Sequence, residues 1–234
     1  MRRFRPRPLP TVITLVVLLI LASLGTWQVQ RLQWKNDLLQ RMEERTTAEP
    51  VLLDEVRLDD PAAVAWRRVR VVGRFLASPG PPELYGVESH GGQLGSRLLG
   101  AVETADGRTL LVDRGFTPEA SVPPAPPGGQ VELDAILRDR SEDQQTWFLP
   151  DNDPATGHWF WIDLAELGRI FGRPLEPVAL QLLPGSPGAT VQAKPPRLDL
   201  PNNHLGYAIT WYGLALALLL VYLVFSSERT DPRS

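Results

Sequence analysis

The sequence predicts a membrane protein with two transmembrane α-helices flanking a mainly antiparallel β (α+β) extracytoplasmic domain. Three observations predict it. Residues Leu9 to Trp27 carry no charge, and neither do Leu205 to Phe225. Between them, short runs alternate apolar with polar residues and are separated by Gly, Pro and Asp-Gly signals, the pattern of strands joined by turns.

The first apolar run, "TVITLVVLLILASLGTW", is near the lower limit of about 17 to 25 residues for a spanning helix. A cleaved signal peptide is the rival reading, with a basic start, a short apolar run and the small residues Ser23 and Gly25 for a peptidase. The run continues, however, into "WQVQRLQWKNDLLQRMEER", where Val29, Leu32, Leu38 and Leu39 lie among charges and amides. That reads as the same helix leaving the bilayer, with Trp27 and Trp34 at the headgroups.

The second run is the stronger span. From Leu214 onward, nine Leu, Val and Phe residues contribute about −3 to −5 kcal/mol of insertion preference. Arg2, Arg3, Arg5 and Arg7 precede the first span with no acidic residue before Asp37, so the N-terminus is expected in the cytoplasm. Two spans return the C-terminus, with Arg229 and Arg233, to the same side. The expected organisation is a cytoplasmic tail over 1–8, a helix over 9–27, a periplasmic mainly-β domain over 28–203, a helix over 204–225 and a cytoplasmic tail over 226–234.

Within the domain, "RRVRVVGRFL" alternates apolar residues with arginines, as a half-exposed strand does. "RLLGAVETADGRTLLVDRGF" is two strands joined at Ala105-Asp106-Gly107. "GQVELDAILRD" alternates again. "WFWIDLAELGRIFG" starts extended and then forms a short helix capped by Asp163 and ending at Gly172. "PVALQLLP" is a last strand bounded by prolines, while "SVPPAPPGGQ" and most of "LLPGSPGATVQAKPPRL" are loops.

Composition narrows the chemistry. A net charge of −3 on 234 residues gives no basic surface for nucleic acid. The absence of cysteine excludes disulfides, thiolate metal sites and covalent c-type haem attachment. No nucleophile elbow, phosphate-binding loop or zinc-protease motif occurs, so no enzyme is expected. Three histidines remain. His90 lies in the glycine-rich turn "ESHGGQLGSR", which reads as a solvated loop. His158 in "DPATGHWFWIDL" reads as an edge residue beside Trp159 and Trp161.

His204 opens the second span in "PNNHLGYAITWYGLALALLLVYLVF". Asn202 or Asn203 can cap that helix, and the positive end of the helix dipole favours a neutral ring able to ligate. His204, Tyr207, Ala208, Trp211 and Ala215 share one face, and Gly206, Gly213 and Ala217 the opposite one. Two readings fit the first face. It can hold a flat apolar ring around a ligated iron, or it can be an interfacial His and Trp belt that positions the helix.

"GTWQVQRLQWKNDLL", "WRRVRVVGRF", "TADGRTLLVDRGF", "DNDPATGHWFWIDL" and "PNNHLGYAITWYGLALALL" resemble, in order, the signature blocks of the Surfeit locus protein 1 family. The resemblance covers nearly the whole chain. It implies a role in cytochrome c oxidase assembly, in which haem a is bound at the outer membrane face and placed into the oxidase catalytic subunit. It implies that His204 ligates the haem iron, and Tyr207 and Trp211, on the same helix face, are the candidates to lie beside the ring. Arg114, at the end of the hairpin, is a candidate to meet a haem propionate or to pair within the domain. The catalytic subunit, haem a synthase and membrane lipids are the implied partners. Three positions depart from the family pattern. Asp113-Arg114-Gly115-Phe116 stands where Asn-Arg-Gly-Trp is usual, and Gly206 where a glutamine is usual. Only eight residues precede Leu9, which points to a bacterial inner membrane rather than a mitochondrial presequence. A scaffold for oxidase subunits without haem transfer, and a membrane-tethered enzyme with scattered catalytic residues, are the alternative functions.

Overall fold

The computed structural model describes residues 2–4, 6–77, 83–85, 94–118, 121–122, 124–141, 145–190 and 203–229. In chain order its elements are β1 (Arg2–Phe4), α1 (Pro8–Thr47), β2 (Val51–Leu52), a 3-10 turn (Leu53–Glu55), α2 (Pro61–Val64), β3 (Arg68–Phe75), β4 (Glu83–Tyr85), β5 (Gly95–Thr104), β6 (Thr109–Pro118), β7 (Gln130–Asp139), β8 (His158–Trp159), α3 (Leu164–Phe171), β9 (Val178–Leu182), α4 (His204–Phe225) and β10 (Ser227–Arg229). They fall into two compact units, Met1–Arg41 with Leu198–Ser234, and Met42–Arg197.

In the first unit, α1 and α4 are both long and apolar enough to cross a membrane. At 1.5 Å per residue, the 40 residues of α1 extend about 60 Å, twice the hydrocarbon thickness of a bilayer. The apolar run and the amphipathic segment after it are therefore one continuous helix. Their large side chains face outward: Leu19 is 68% exposed and Val221 65%, which is unlike a core helix of a soluble protein.

The inward positions recur at intervals of three and four. On α1 they are Thr11, Thr14, Leu18, Leu21, Gly25 and Gln28; on α4 they are His204, Ala208, Trp211, Ala215, Leu218 and Tyr222. The helices run antiparallel, because Thr11 Oγ1 meets Tyr222 Oη at 2.7 Å while Gln28 meets His204. Thr26 Oγ1 and Tyr212 Oη add a third tie at 3.0 Å. Gly25 permits the close approach: a Cβ there would stand 2.9 Å from the Tyr212 ring. Beyond the helices, β1 and β10 pair antiparallel with Phe4 opposite Ser227. Both flanking segments thus lie at the same end of the helix pair, as the even number of spans requires.

The second unit is built on an eight-stranded sheet in the order β2-β3-β7-β9-β6-β5-β4-β8. A further pairing of β3 with β5 closes the strands β3-β7-β9-β6-β5 into a five-stranded Greek-key barrel of the OB type. Closure is short. Gly73 to Phe75 of β3 pair with Val102 to Thr104 of β5 before the strands part, β2 then lying on β3 and β4 on β5. Gly73 makes this contact possible, since a Cβ would sit 2.5 Å from Val102 Cγ1 and 2.7 Å from the Glu103 carbonyl oxygen.

Most pairs are antiparallel, as the alternating sequence suggests. The sheet is nevertheless mixed: β6 pairs β9 in parallel, as do β2 with β3 and β4 with β8. The β6–β9 pairing follows from the long excursion between β7 and β9, which brings β9 back beside β7 antiparallel and so aligned with β6. The expected hairpin forms at Thr104 to Thr109 with Gly107 at φ +85°. Asp163 caps α3 by accepting from the Glu166 N–H at 3.0 Å, and Gly172 ends it at φ +70°. Val69, Val71, Val102, Leu110, Val112, Leu133, Leu137 and Leu180 fill the barrel. Leu99, Ala101, Leu111 and Ala179 on its outer face are covered by Trp159, Ile162, Leu167 and Phe171.

Candidate functional site

The sequence singles out one helix entrance and one hairpin end, and they belong to different units. At the helix entrance, Asn203 occupies the N-cap position, but its side chain makes no capping bond. Its backbone, at φ −89° and ψ 6°, is outside the extended region from which a cap side chain reaches the first turn. The expected side-chain cap from Asn203 is thus absent, and Asn202 lies outside the described residues. Only the Asn203 carbonyl engages the helix, accepting from the Tyr207 N–H at 3.2 Å.

His204 is held from α1 instead. Its Nδ1 lies 2.8 Å from Gln28 Oε1, and Gln28 is buried at 9% exposure. Among the described residues no group bonds to Nε2. Ala208, one turn along, is buried and Trp211 half-buried on the same inward face, whereas Tyr207 is exposed on the helix flank. One nitrogen anchored and the other unpartnered among the described residues is the donor arrangement an axial haem ligand would need, so the residues present fit that group. The sequence reading missed Gln28. Its signal was the spacing Gly25-x-x-Gln28, a small residue and an amide three apart at the end of an apolar run.

Arg114 is placed inside the barrel unit, at 2% exposure. Its Nε donates to the Gly188 carbonyl at 2.6 Å, and its guanidinium stands 5.8 Å from the Phe75 ring. Burial pulls it below its ordinary pKa. Among the described residues no carboxylate pairs with it.

Asp113 is buried and pairs with Arg97 on β5, whose Nε and Nη2 reach Oδ2 at 2.7 and 2.5 Å. Asp113 Oδ1 also accepts from the Gly115 N–H at 3.1 Å. An asparagine oxygen could make that second bond, while only the carboxylate neutralises Arg97. His158 is an exposed residue of β8, the edge strand, as expected. Its backbone N–H and carbonyl both bond to Asp153. His90 lies outside the described residues. No group of three or more His, Cys, Asp or Glu suited to a metal ion occurs among the described residues.

With two apolar helices, an intervening sheet domain and His204 at the second helix entrance, comparison with known proteins is decisive. The SURF1 family model matches residues 15–216. The chain belongs to the SURF1 family. That family comprises cytochrome c oxidase assembly factors. Surfeit locus protein 1 of Homo sapiens is 36% identical over 224 residues, covering 83% of this chain and 70% of the human protein. That of Xenopus tropicalis is 35% identical, covering 83% and 68%, and a SURF1-like protein of Monosiga brevicollis is 33% identical, covering 91% and 85%.

Proposed function

We propose that this chain assists cytochrome c oxidase assembly by binding haem a at the outer membrane face and passing it to the oxidase catalytic subunit. The observation that carries the reading is His204, with Nδ1 anchored to Gln28 and Nε2 without a partner among the described residues, at the mouth of an apolar helix. Haem a supplies a redox-active iron in a large apolar macrocycle. His204 Nε2 would hold the iron, and Trp211 and the exposed Tyr207 would flank the ring. A carrier that releases its cargo needs few and reversible bonds, and a chain without cysteine forms no thioether link. A site at the membrane edge lets an apolar ring move sideways without crossing water, where exposed apolar surface costs about 25 cal/mol per Å². Arg114 enters as a candidate propionate partner only if its guanidinium leaves the Gly188 carbonyl. The proposed home is a bacterial inner membrane, with both termini cytoplasmic and the barrel periplasmic. Haem a synthase is the proposed donor partner.

The test is a spectrum of the protein purified from cells that make haem a. The wild type should show a Soret band, and His204→Ala should lose it or shift it to the blue while still inserting. Trp211→Ala should be milder, and His158→Ala silent. A His204 variant with a wild-type spectrum, beside a His158 variant without one, would move the ligand to the barrel unit. A colourless wild-type preparation would support a scaffold that transfers no haem. Reporter fusions in the "SVPPAPPGG" loop should be active only as an exported enzyme.

A further inference from the structure

We propose that Gln28 is a positioning residue for His204, fixing the tautomer of the ring so that Nε2 carries the lone pair offered to iron. The role of the iron rests on the haem-binding reading; the tautomer does not.

The contact itself sets the proton. Gln28 Oε1 lies 2.8 Å from His204 Nδ1, and an amide oxygen only accepts. A bare ring nitrogen also only accepts, so Nδ1 must hold the proton and donate it. A neutral imidazole has one N–H, which leaves Nε2 bare. An unrestrained histidine side chain favours the opposite tautomer, with the proton on the nitrogen remote from the backbone. The bond therefore selects the less favoured form, and that form points its lone pair away from α1.

The surroundings show why this exceeds a simple tie between helices. Gln28 is buried in a seam whose neighbouring positions are Leu18, Leu21 and Gly25. An amide there gains nothing in packing over leucine. A tie alone would be served equally by the amide N–H₂ donating to Nδ1, which would put the proton on Nε2 and block ligation. Both residues also sit on regular helix, Gln28 well inside α1 and His204 at the start of α4, so the ring is aimed by rigid elements. Histidine ligands commonly donate their second ring N–H to such an acceptor, and loss of the acceptor typically weakens metal binding about 10- to 100-fold.

The experiment uses the full chain in detergent, labelled with ¹⁵N-histidine and free of haem, with the His204 signals assigned by comparison with His204→Ala. The wild type should give the Nδ1–H tautomer, and Gln28→Leu, which keeps apolar volume but removes the acceptor, the Nε2–H tautomer. Haemin added to the same samples should bind about 10- to 100-fold more weakly to Gln28→Leu. Gln28→Glu, a stronger acceptor of similar size, should retain haemin and lower its midpoint potential by pushing the ring toward imidazolate. A wild-type ring with its proton on Nε2 would overturn the proposal. So would a Gln28→Leu protein with unchanged tautomer and haemin affinity. If Gln28→Leu does not fold, an unchanged potential in Gln28→Glu overturns it equally. Haemin binding that survives His204→Ala unchanged would sink the haem-binding reading instead, while the tautomer shift would still measure the action of Gln28 on the ring.

Discussion

The barrel unit and the helical unit solve opposite problems with similar parts. In the barrel, apolar side chains such as Leu110 and Leu180 are fully enclosed, and arginines and carboxylates line the outside. In the helical unit, leucine and valine face outward and the polar pairs, Thr11 with Tyr222, Thr26 with Tyr212 and Gln28 with His204, bond across the helices. Each unit places a glycine at a close approach, Gly73 beside the β5 backbone and Gly25 beside the Tyr212 ring. The difference lies in what drives assembly. Expulsion of water closes the barrel. In lipid that force is absent between helices, and packing and hydrogen bonds must suffice.

The largest expected effect breaks the comparison at its root. Leu180→Ala should destabilise the barrel by about 3 to 5 kcal/mol, read by denaturant unfolding of the full chain in detergent with the buried Trp159 as fluorescence reporter. Leu216→Ala, equally apolar but facing outward, should leave that transition in place. Next, Arg97→Ala leaves Asp113 buried without its partner and should cost about 3 kcal/mol in the same assay. Adding Asp113→Asn should recover part of that loss, because the uncompensated charge disappears while the Gly115 N–H keeps an acceptor. Gly73→Ala should cost about 2 kcal/mol, as the new methyl meets Val102 and the Glu103 carbonyl, and it should accelerate hydrogen exchange along Val102 to Thr104. The smallest effect belongs to the helices. Thr26→Val removes one interhelical bond and should weaken their association by about 0.6 kcal/mol, measured as unfolding force or steric trapping in bicelles.

The sequence made local features legible and left distant ones hidden. Charge-free runs, Asp106-Gly107 at a hairpin and the span from Asp163 to Gly172 each declare themselves within a few residues, because turn chemistry and hydropathy act locally. Barrel closure does not. The pairing of Gly73 with Thr104, and the parallel alignment of β9 beside β6, depend on which edges meet after long excursions, and alternation alone is silent on that choice. At the site, His204 was legible as a lone imidazole at a span entrance. Its partner was not, since Gln28 and His204 become neighbours only when the two helices run antiparallel with this register. Arg114 shows the same limit: nothing local to Arg-Gly at a strand end announces that its Nε bonds to the carbonyl of the distant Gly188.

The sheet ends in strands of two residues on each side, β2 and β8, and the backbone of His158 is already bonded to Asp153. Proteins tethered by their helices diffuse in a plane, where copies meet far more often than in a volume. A long bare edge would let such neighbours zip together strand on strand. Among the described residues the edge strands β2 and β8, at two residues each, are too short a template for such pairing.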